Sequence, residues 1–327
     1  MPDGGVRGGR WRPGSLAGVT DSAAPAAPPA SVDQVADALA AEGYLADEGL
    51  ATSIYLALTL RRPLLLEGEP GVGKTEVAKV LSRWLGGELI RLQCYEGLDA
   101  SQALYEWDYS RQLLHLRAAE AAGTAGTDVD ALEDELYAER FLVRRPLLQA
   151  IGHGDGPTPV LLVDEVDRAD DEFEAFLLEV LADYSITVPE LGTFHAEVPP
   201  VVIITSNRTR DVHDALKRRC LYHWVEHPDL EREVAIVRAR VPQVDEELAR
   251  QVAALTATLR ELELYKPPGV AETIDWAQAL AVLGRGTIDT GSVAATLGTV
   301  LKYREDADRV RRHGLDELVD AARSRAG

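Results

Sequence analysis

Apolar side chains along this chain fall into two alternating patterns. Short apolar stretches occur at Leu64-Leu65-Leu66, Leu89 to Leu92, Val160 to Val163, Val201 to Thr205 and Leu221 to Val225. Each has the length of a buried strand, bounded by polar or turn-forming residues. Between most of them apolar residues recur every three or four positions, as Val77, Val80, Leu81 and Leu85 do after the first stretch. Strands separated by helices predict an α/β fold with a mostly parallel sheet. Ser31-Val32-Asp33-Gln34 forms a capping box ahead of Val35 and Leu39, and a second helix over Leu50 to Leu60 leads into the first strand. From Asp229 onward the strand pattern vanishes and only helices are predicted, for example Glu231 to Arg240 and Ala271 to Leu283. A boundary near His227-Pro228 therefore divides residues 31–227 from an all-helical part, 228–327. Residues 1–30 are rich in Gly, Pro and Ala with few large apolar side chains, which predicts a disordered tail.

The connection after the first strand carries chemistry. Gly68-Glu69-Pro70-Gly71-Val72-Gly73-Lys74-Thr75 fills every position of the G-x-x-x-x-G-K-[ST] phosphate loop, with a strand before it and a helix after it. Glycines let backbone N–H groups turn inward onto phosphate oxygens, and the helix N-terminus adds partial positive charge. In such a loop Lys74 bridges the β- and γ-phosphates and the Thr75 hydroxyl ligates Mg²⁺. A glycine-rich turn matching by accident would lack the two flanks. The predicted ligands are ATP and Mg²⁺.

Val160-Leu161-Leu162-Val163-Asp164-Glu165 ends a second strand on two acids, at the sheet edge where open α/β folds bind ligands. Asp164 is expected to hold Mg²⁺ and Glu165 to polarise the attacking water. The run continues acidic to residue 179, and Asp170, Asp171, Glu172 and Glu174 read as a solvated helix face. Asn207, closing Val201-Val202-Ile203-Ile204-Thr205-Ser206-Asn207, can orient that water beside Glu165, although Asn is also an ordinary turn residue. Lys217-Arg218-Arg219 ends a short predicted helix. Cations there complement the helix dipole; alternatively Arg218 or Arg219 reaches a neighbouring subunit's γ-phosphate as an arginine finger.

Charge narrows the partners. The 327 residues hold 34 basic and 54 acidic side chains, a net of −20, which disfavours general binding to nucleic acid. Cys94 and Cys220 offer neither a disulfide framework nor C-x-x-C, which suits a reducing cytoplasm. No apolar stretch approaches the roughly 18 residues of a membrane helix, and Asp21 with several prolines breaks any signal-type core. A metal site from Cys220, His223 and His227 is set aside, because residues four apart on a strand stand about 13 Å from one another.

Taken in order, these motifs resemble the AAA+ ATPases, and within them the MoxR branch, over residues 31 to 310. Arg91-Leu92-Gln93-Cys94-Tyr95-Glu96-Gly97-Leu98-Asp99, Tyr105-Glu106-Trp107-Asp108-Tyr109, Thr205-Ser206-Asn207-Arg208-Thr209-Arg210-Asp211 and Lys266-Pro267-Pro268-Gly269-Val270-Ala271-Glu272-Thr273-Ile274-Asp275-Trp276 are similar to the CoxD-type subgroup. The resemblance implies a five-stranded parallel αβα core with a small helical lid, assembled into rings, usually hexamers. It implies a chaperone-like remodeller, often with a von Willebrand factor A-type partner, whose client is a molybdenum hydroxylase such as carbon monoxide dehydrogenase matured at its metal site. Client contact would fall to a helical insert over residues 100–150 and to a hairpin over 185–197. Alignment to the family's Arg-Phe favours Arg219 as the finger, with Arg218 adjacent.

One departure stands out. The branch's lid helix begins with a nucleotide-sensing arginine, whereas Gly269-Val270-Ala271-Glu272-Thr273 has none; Thr273 stands in its place, and Lys266 is a candidate substitute, although an ordinary loop lysine is the favoured reading. The Tyr and Trp residues at 105–109 are expected to pack rather than to face a client. Two other readings use the same fold: a nucleic-acid motor, which needs a basic stripe, and a non-hydrolysing switch or scaffold, which predicts loss of Glu165 or of the finger.

Overall fold

The computed structural model describes residues 29–122, 129–154 and 156–327. Nearly all of the predicted N-terminal tail, residues 1–28, lies outside them. Among the described residues nine strands form: β1 (Leu64–Gly68), β2 (Leu89–Gln93), β3 (Tyr105–Trp107), β4 (Leu142–Arg144), β5 (Val160–Asp164), β6 (Ser185–Val188), β7 (Gly192–His195), β8 (Val201–Ser206) and β9 (Leu221–Val225). Five of them make one sheet in the order β2-β5-β8-β1-β9, every pair parallel. Each strand matches a predicted apolar stretch to within two residues.

Position in the sheet explains why some stretches are wholly apolar and others mixed. All five residues of β1 and of β5 are buried, as are five of six in β8. These three occupy the centre, covered on both faces. The edge strands β2 and β9 hold polar side chains such as Arg91, Tyr222 and His223 among their apolar ones. Successive residues point to opposite faces. Leu65, Leu161, Val163, Val202 and Ile204 accordingly join one apolar core, and Leu64, Leu66, Val160, Leu162 and Ile203 the other. A third core lies among the C-terminal helices, around Val237, Leu255, Trp276, Leu297 and Val319. The buried Trp276 finds a partner for its indole N–H in Thr296 Oγ1 at 2.7 Å.

Helix starts follow local signals. Ser31 Oγ accepts from Gln34 N at 3.1 Å, and Asp47 Oδ1 accepts from Leu50 N at 2.7 Å to open the helix Glu48–Leu60. The insert departs from an all-helical reading. Besides the helices Ala100–Leu104, Tyr109–Ala121, Val129–Leu136 and Pro146–Ile151 it carries an antiparallel ladder of β3 on β4. Trp107 explains that ladder: it is buried, and its ring meets Tyr137 edge-on at 5.2 Å. Of the aromatic residues in this stretch Trp107 packs as expected, whereas Tyr109 is largely exposed. Strands β6 and β7 form the expected hairpin.

The acidic run after β5 needs correction at one position. Asp170 caps the helix Asp171–Asp183 by accepting from Phe173 N at 2.8 Å. Glu174 is not part of a solvated face: it is buried, ion-paired with Arg210 and accepts from His213 N at 2.7 Å. It ties this helix to the loop after β8, a contact between distant segments that helical spacing does not reveal. No helix among the described residues is long and apolar enough to cross a membrane.

Candidate nucleotide site

A cavity of about 360 Å³ opens at the carboxyl ends of β1, β5 and β8, with the C-terminal helices as its far wall. Its floor is the phosphate loop. Gly71 and Gly73 have φ of +82° and +97°, a region that L side chains avoid, and a Cβ at Gly68 would stand 2.4 Å from the Val225 carbonyl oxygen. The loop thus takes a path that only glycines allow, and the helix Lys74–Leu85 starts directly behind it.

Lys74 is buried at the cavity floor, where its Nζ donates to the carbonyls of Gly68 and Glu69, each at 2.8 Å. Burial is the largest influence on its ammonium and pulls its pKa down to about 8, against the opposing field of Asp167, Asp164, Glu165 and Glu69. Thr75 Oγ1 donates to Asp164 Oδ1 at 3.0 Å. The same oxygen accepts from Thr205 Oγ1 at 2.6 Å, and Asp164 Oδ2 receives two bonds from the Arg91 guanidinium, at 2.6 and 3.1 Å. A hydroxyl and a carboxylate side by side fit the oxygen donors that Mg²⁺ takes alongside phosphate and water.

Glu165 sits one residue beyond the strand, in the left-handed region at φ 56°. A non-glycine residue in that region needs support from its surroundings, and here the support is visible. Glu165 N donates to Thr205 Oγ1 at 2.9 Å, so that hydroxyl links the two acids. Asn207 Nδ2 donates to Glu165 Oε1 at 3.2 Å, and Gln93 Nε2 to Oε2 at 3.1 Å. Asn207 is itself held by the buried Asp167, which accepts from Asn207 N at 3.2 Å and Thr209 N at 2.8 Å. Gln93 from β2, Asn207 after β8 and Arg168, whose guanidinium donates to Oε2 at 3.2 Å, thus converge on one carboxylate at the cavity.

Lys74, Thr75, Asp164, Glu165 and Asn207 all line the cavity, together with Pro70, Gly71, Val72 and Gly73. Arg218 and Arg219 do not. They project from the exposed end of the helix Asp214–Arg219, whose last carbonyls are held by Arg62. Neither Thr273, at the place of the lid arginine, nor Lys266 lines the cavity. Thr273 is fully buried, donating to Glu233 Oε1 at 2.7 Å, and Lys266 lies outside the cavity wall, its backbone N–H bound to Asp306. Cations do reach the cavity from the helix Leu230–Arg240: Arg232, beside Asp47 at 3.1 Å, and Arg240, beside Glu76 at 3.0 Å. Their signal was present as Arg232, Ile236 and Arg240 at four-residue spacing, one face of one helix. Cys220, His223 and His227 do not converge: His223 lies 3.8 Å from Asp47 and His227 3.5 Å from Glu69.

Residues 63–220 match the family model of the AAA domain, dynein-related subfamily. This part of the chain is similar to AAA domains. The strand order of its sheet and the helical region that follows it are those of the AAA+ fold. Among solved structures, the RuvB Holliday junction branch migration motor of Thermotoga maritima is 15% identical, with 83% of this chain and 72% of that one covered at a TM-score of 0.43. A variant of the same RuvB, also 15% identical, gives 0.46 over 83% and 73%. A candidate ATPase from Cytophaga hutchinsonii is 14% identical, with 89% of this chain and 93% of that one covered at 0.44. No curated protein matches the chain.

Proposed function

We propose that this protein is a MoxR-type AAA+ ATPase that hydrolyses ATP in a homo-oligomeric ring, of six subunits by family habit, to remodel a protein client. The observation that supports hydrolysis best is the convergence of Asn207 and Gln93 on the two oxygens of Glu165, beside the Thr75–Asp164 pair. A general base must be aimed, and two amide donors aim this one. In this reading the backbone N–H groups of residues 68–75 and the Lys74 ammonium hold the triphosphate. Thr75 and Asp164 hold Mg²⁺, which when bound neutralises charge on the β- and γ-phosphates. Glu165 takes a proton from the attacking water while Asn207 fixes that water's position. Arg219, or Arg218 beside it, supplies positive charge from the neighbouring subunit, which accounts for their exposure and for their absence from the lining of their own cavity.

Residues 228–327 act as the lid and 31–227 as the nucleotide-binding core. The insert and the β6–β7 hairpin are the client-facing elements. The four stretches similar to the CoxD-type subgroup favour metal-site maturation of a molybdenum hydroxylase, with a von Willebrand factor A-type partner, in the cytoplasm.

ATP turnover measured against protein concentration tests the core of the proposal. Turnover per chain is expected to rise with concentration, and Glu165→Gln to lower it at least 100-fold while nucleotide binding survives. Arg218→Ala and Arg219→Ala should separate, one of them losing about 10³-fold or more. Turnover that is independent of concentration and survives loss of both arginines would overturn the intersubunit site. Recovery of a molybdenum hydroxylase with Glu165→Gln but not with Lys74→Ala would support the client assignment.

A further inference from the structure

Glu67 stands one residue before the phosphate loop, and its carboxylate is only 2% exposed. Oε2 accepts from the Tyr222 hydroxyl at 3.1 Å, but Oε1 has no hydrogen-bond partner. Two cations stand close without bonding: Lys217 Nζ is 3.9 Å from Oε1, and Arg208 Nε is 4.0 Å from Oε2. A buried carboxylate with a free oxygen costs stability, and a neutral side chain of similar volume would avoid that cost. Packing alone therefore does not account for a glutamate here.

The elements that meet at Glu67 suggest what does. Gly68, whose carbonyl holds Lys74, is the next residue. Arg208 follows Asn207 directly and lies in the left-handed region at φ 55°. Lys217 belongs to the helix that ends in Arg218 and Arg219. One carboxylate thus touches the phosphate loop's strand, the turn carrying Asn207 and the helix carrying the candidate finger. Both cation gaps exceed a hydrogen bond by about 1 Å, so a small closing movement has a bond to gain.

We propose that Glu67 is a positioning residue that couples nucleotide uptake in the phosphate loop to the helix bearing Arg218 and Arg219, through closure of Lys217 onto its unpaired oxygen. The role of that helix toward a neighbouring subunit rests on the ring-ATPase reading; the coupling itself does not. A built-in reporter is available, because the Arg208 guanidinium lies over the Trp224 ring at 5.7 Å and Trp224 pairs with Glu67 across β1 and β9.

The experiment compares full-length wild type, Glu67→Gln, Lys217→Met and the double variant by three readouts. These are affinity for a fluorescent ATP analogue, the ATP-induced change in Trp224 emission (taken as the difference from Trp224→Phe) and ATP turnover. Coupling predicts affinities within threefold of wild type, loss of the Trp224 change in each single variant, and a turnover at least tenfold lower that the double variant does not lower further. A purely structural role would instead lower affinity and melting temperature together and make the two losses multiply. A Trp224 change of wild-type size in Lys217→Met, whose lysine lies at the surface of a short helix, overturns the proposal even if Glu67→Gln fails to fold. If wild type shows a Glu67-dependent Trp224 change but no hydrolysis, the ATPase reading fails and the coupling stands.

Discussion

Lys74 is a lysine whose surroundings work against its charge, and this has a measurable consequence. Its pKa in the free protein is pulled down to about 8, chiefly by burial. A triphosphate favours the protonated form, so binding above pH 8 must take up a proton, and affinity should fall as pH rises through that value. Calorimetry at pH 8.5 in two buffers of different ionisation enthalpy should detect the uptake, and Lys74→Met should abolish it. For folding the sign is opposite to that of an ion-paired lysine. The unfolded chain keeps this proton to about pH 10.4, so the penalty of the buried ammonium is present below pH 8 and relieved as pH rises above it. Arg91 gives a second test. Its guanidinium neutralises the Asp164 carboxylate through Oδ2, the group proposed to hold Mg²⁺, so Arg91→Gln should lower the Mg²⁺ concentration for half-maximal ATP binding severalfold. A rise instead would mean that Arg91 helps to shape the metal site. Asp164, Glu165 and Asn207 were legible because each ends an apolar stretch. Arg91 was not: the family-like stretch that begins with it marks the segment but gives it no role, since its partner lies 73 positions away.

At the scale of elements, the lid helix Val270–Val282 begins directly on the phosphate loop. A Cβ at Gly269 would stand 2.7 Å from Gly71 Cα and 2.9 Å from the Pro70 carbonyl oxygen, and Ala271 N donates to Gly71 O at 3.3 Å. These are backbone atoms and cannot turn aside, so Gly269→Ala must push the helix off the loop. Nucleotide affinity should fall about tenfold, a loss of about 1.4 kcal/mol, with a modest loss of melting temperature; unchanged affinity would show that this contact does not matter to the site. Beneath that helix Glu233, 1% exposed, receives two bonds of 2.7 Å from Arg260 and one of 2.7 Å from Thr273. Arg260→Leu strands a buried charge and should cost about 3–5 kcal/mol in denaturant unfolding. Glu233→Gln in the same background should recover part of it. The helical period correctly placed Glu231 to Arg240 and Ala271 to Leu283, but no period shows that Glu233 and Thr273 face each other across two helices.

At the scale of the whole molecule, Arg218 and Arg219 are exposed and stand outside the lining of the cavity that the rest of the machinery faces. If each site borrows its arginine from a neighbour, two inactive variants should rescue one another. Equal amounts of Glu165→Gln and the inactive arginine variant, mixed, would place an intact glutamate beside an intact arginine at about a quarter of ring sites. Turnover should recover toward that level, and no recovery would argue against a shared site.

The sequence by itself determined the five strands of the parallel sheet, most plainly the central three, where burial on both faces demands apolar stretches, and the phosphate loop, because only glycines permit its backbone path. It also determined which acids stand at strand ends. Tertiary structure decided what those acids meet. Thr205 beneath Asp164 and Glu165, Gln93 and Asn207 on either oxygen of Glu165, Arg232 and Arg240 at the cavity beside Asp47 and Glu76, and the cations around the unpaired oxygen of Glu67 all join segments distant in the chain. Local pattern fixes which way a side chain points relative to its own strand or helix; only the packing of one element on another fixes its partner.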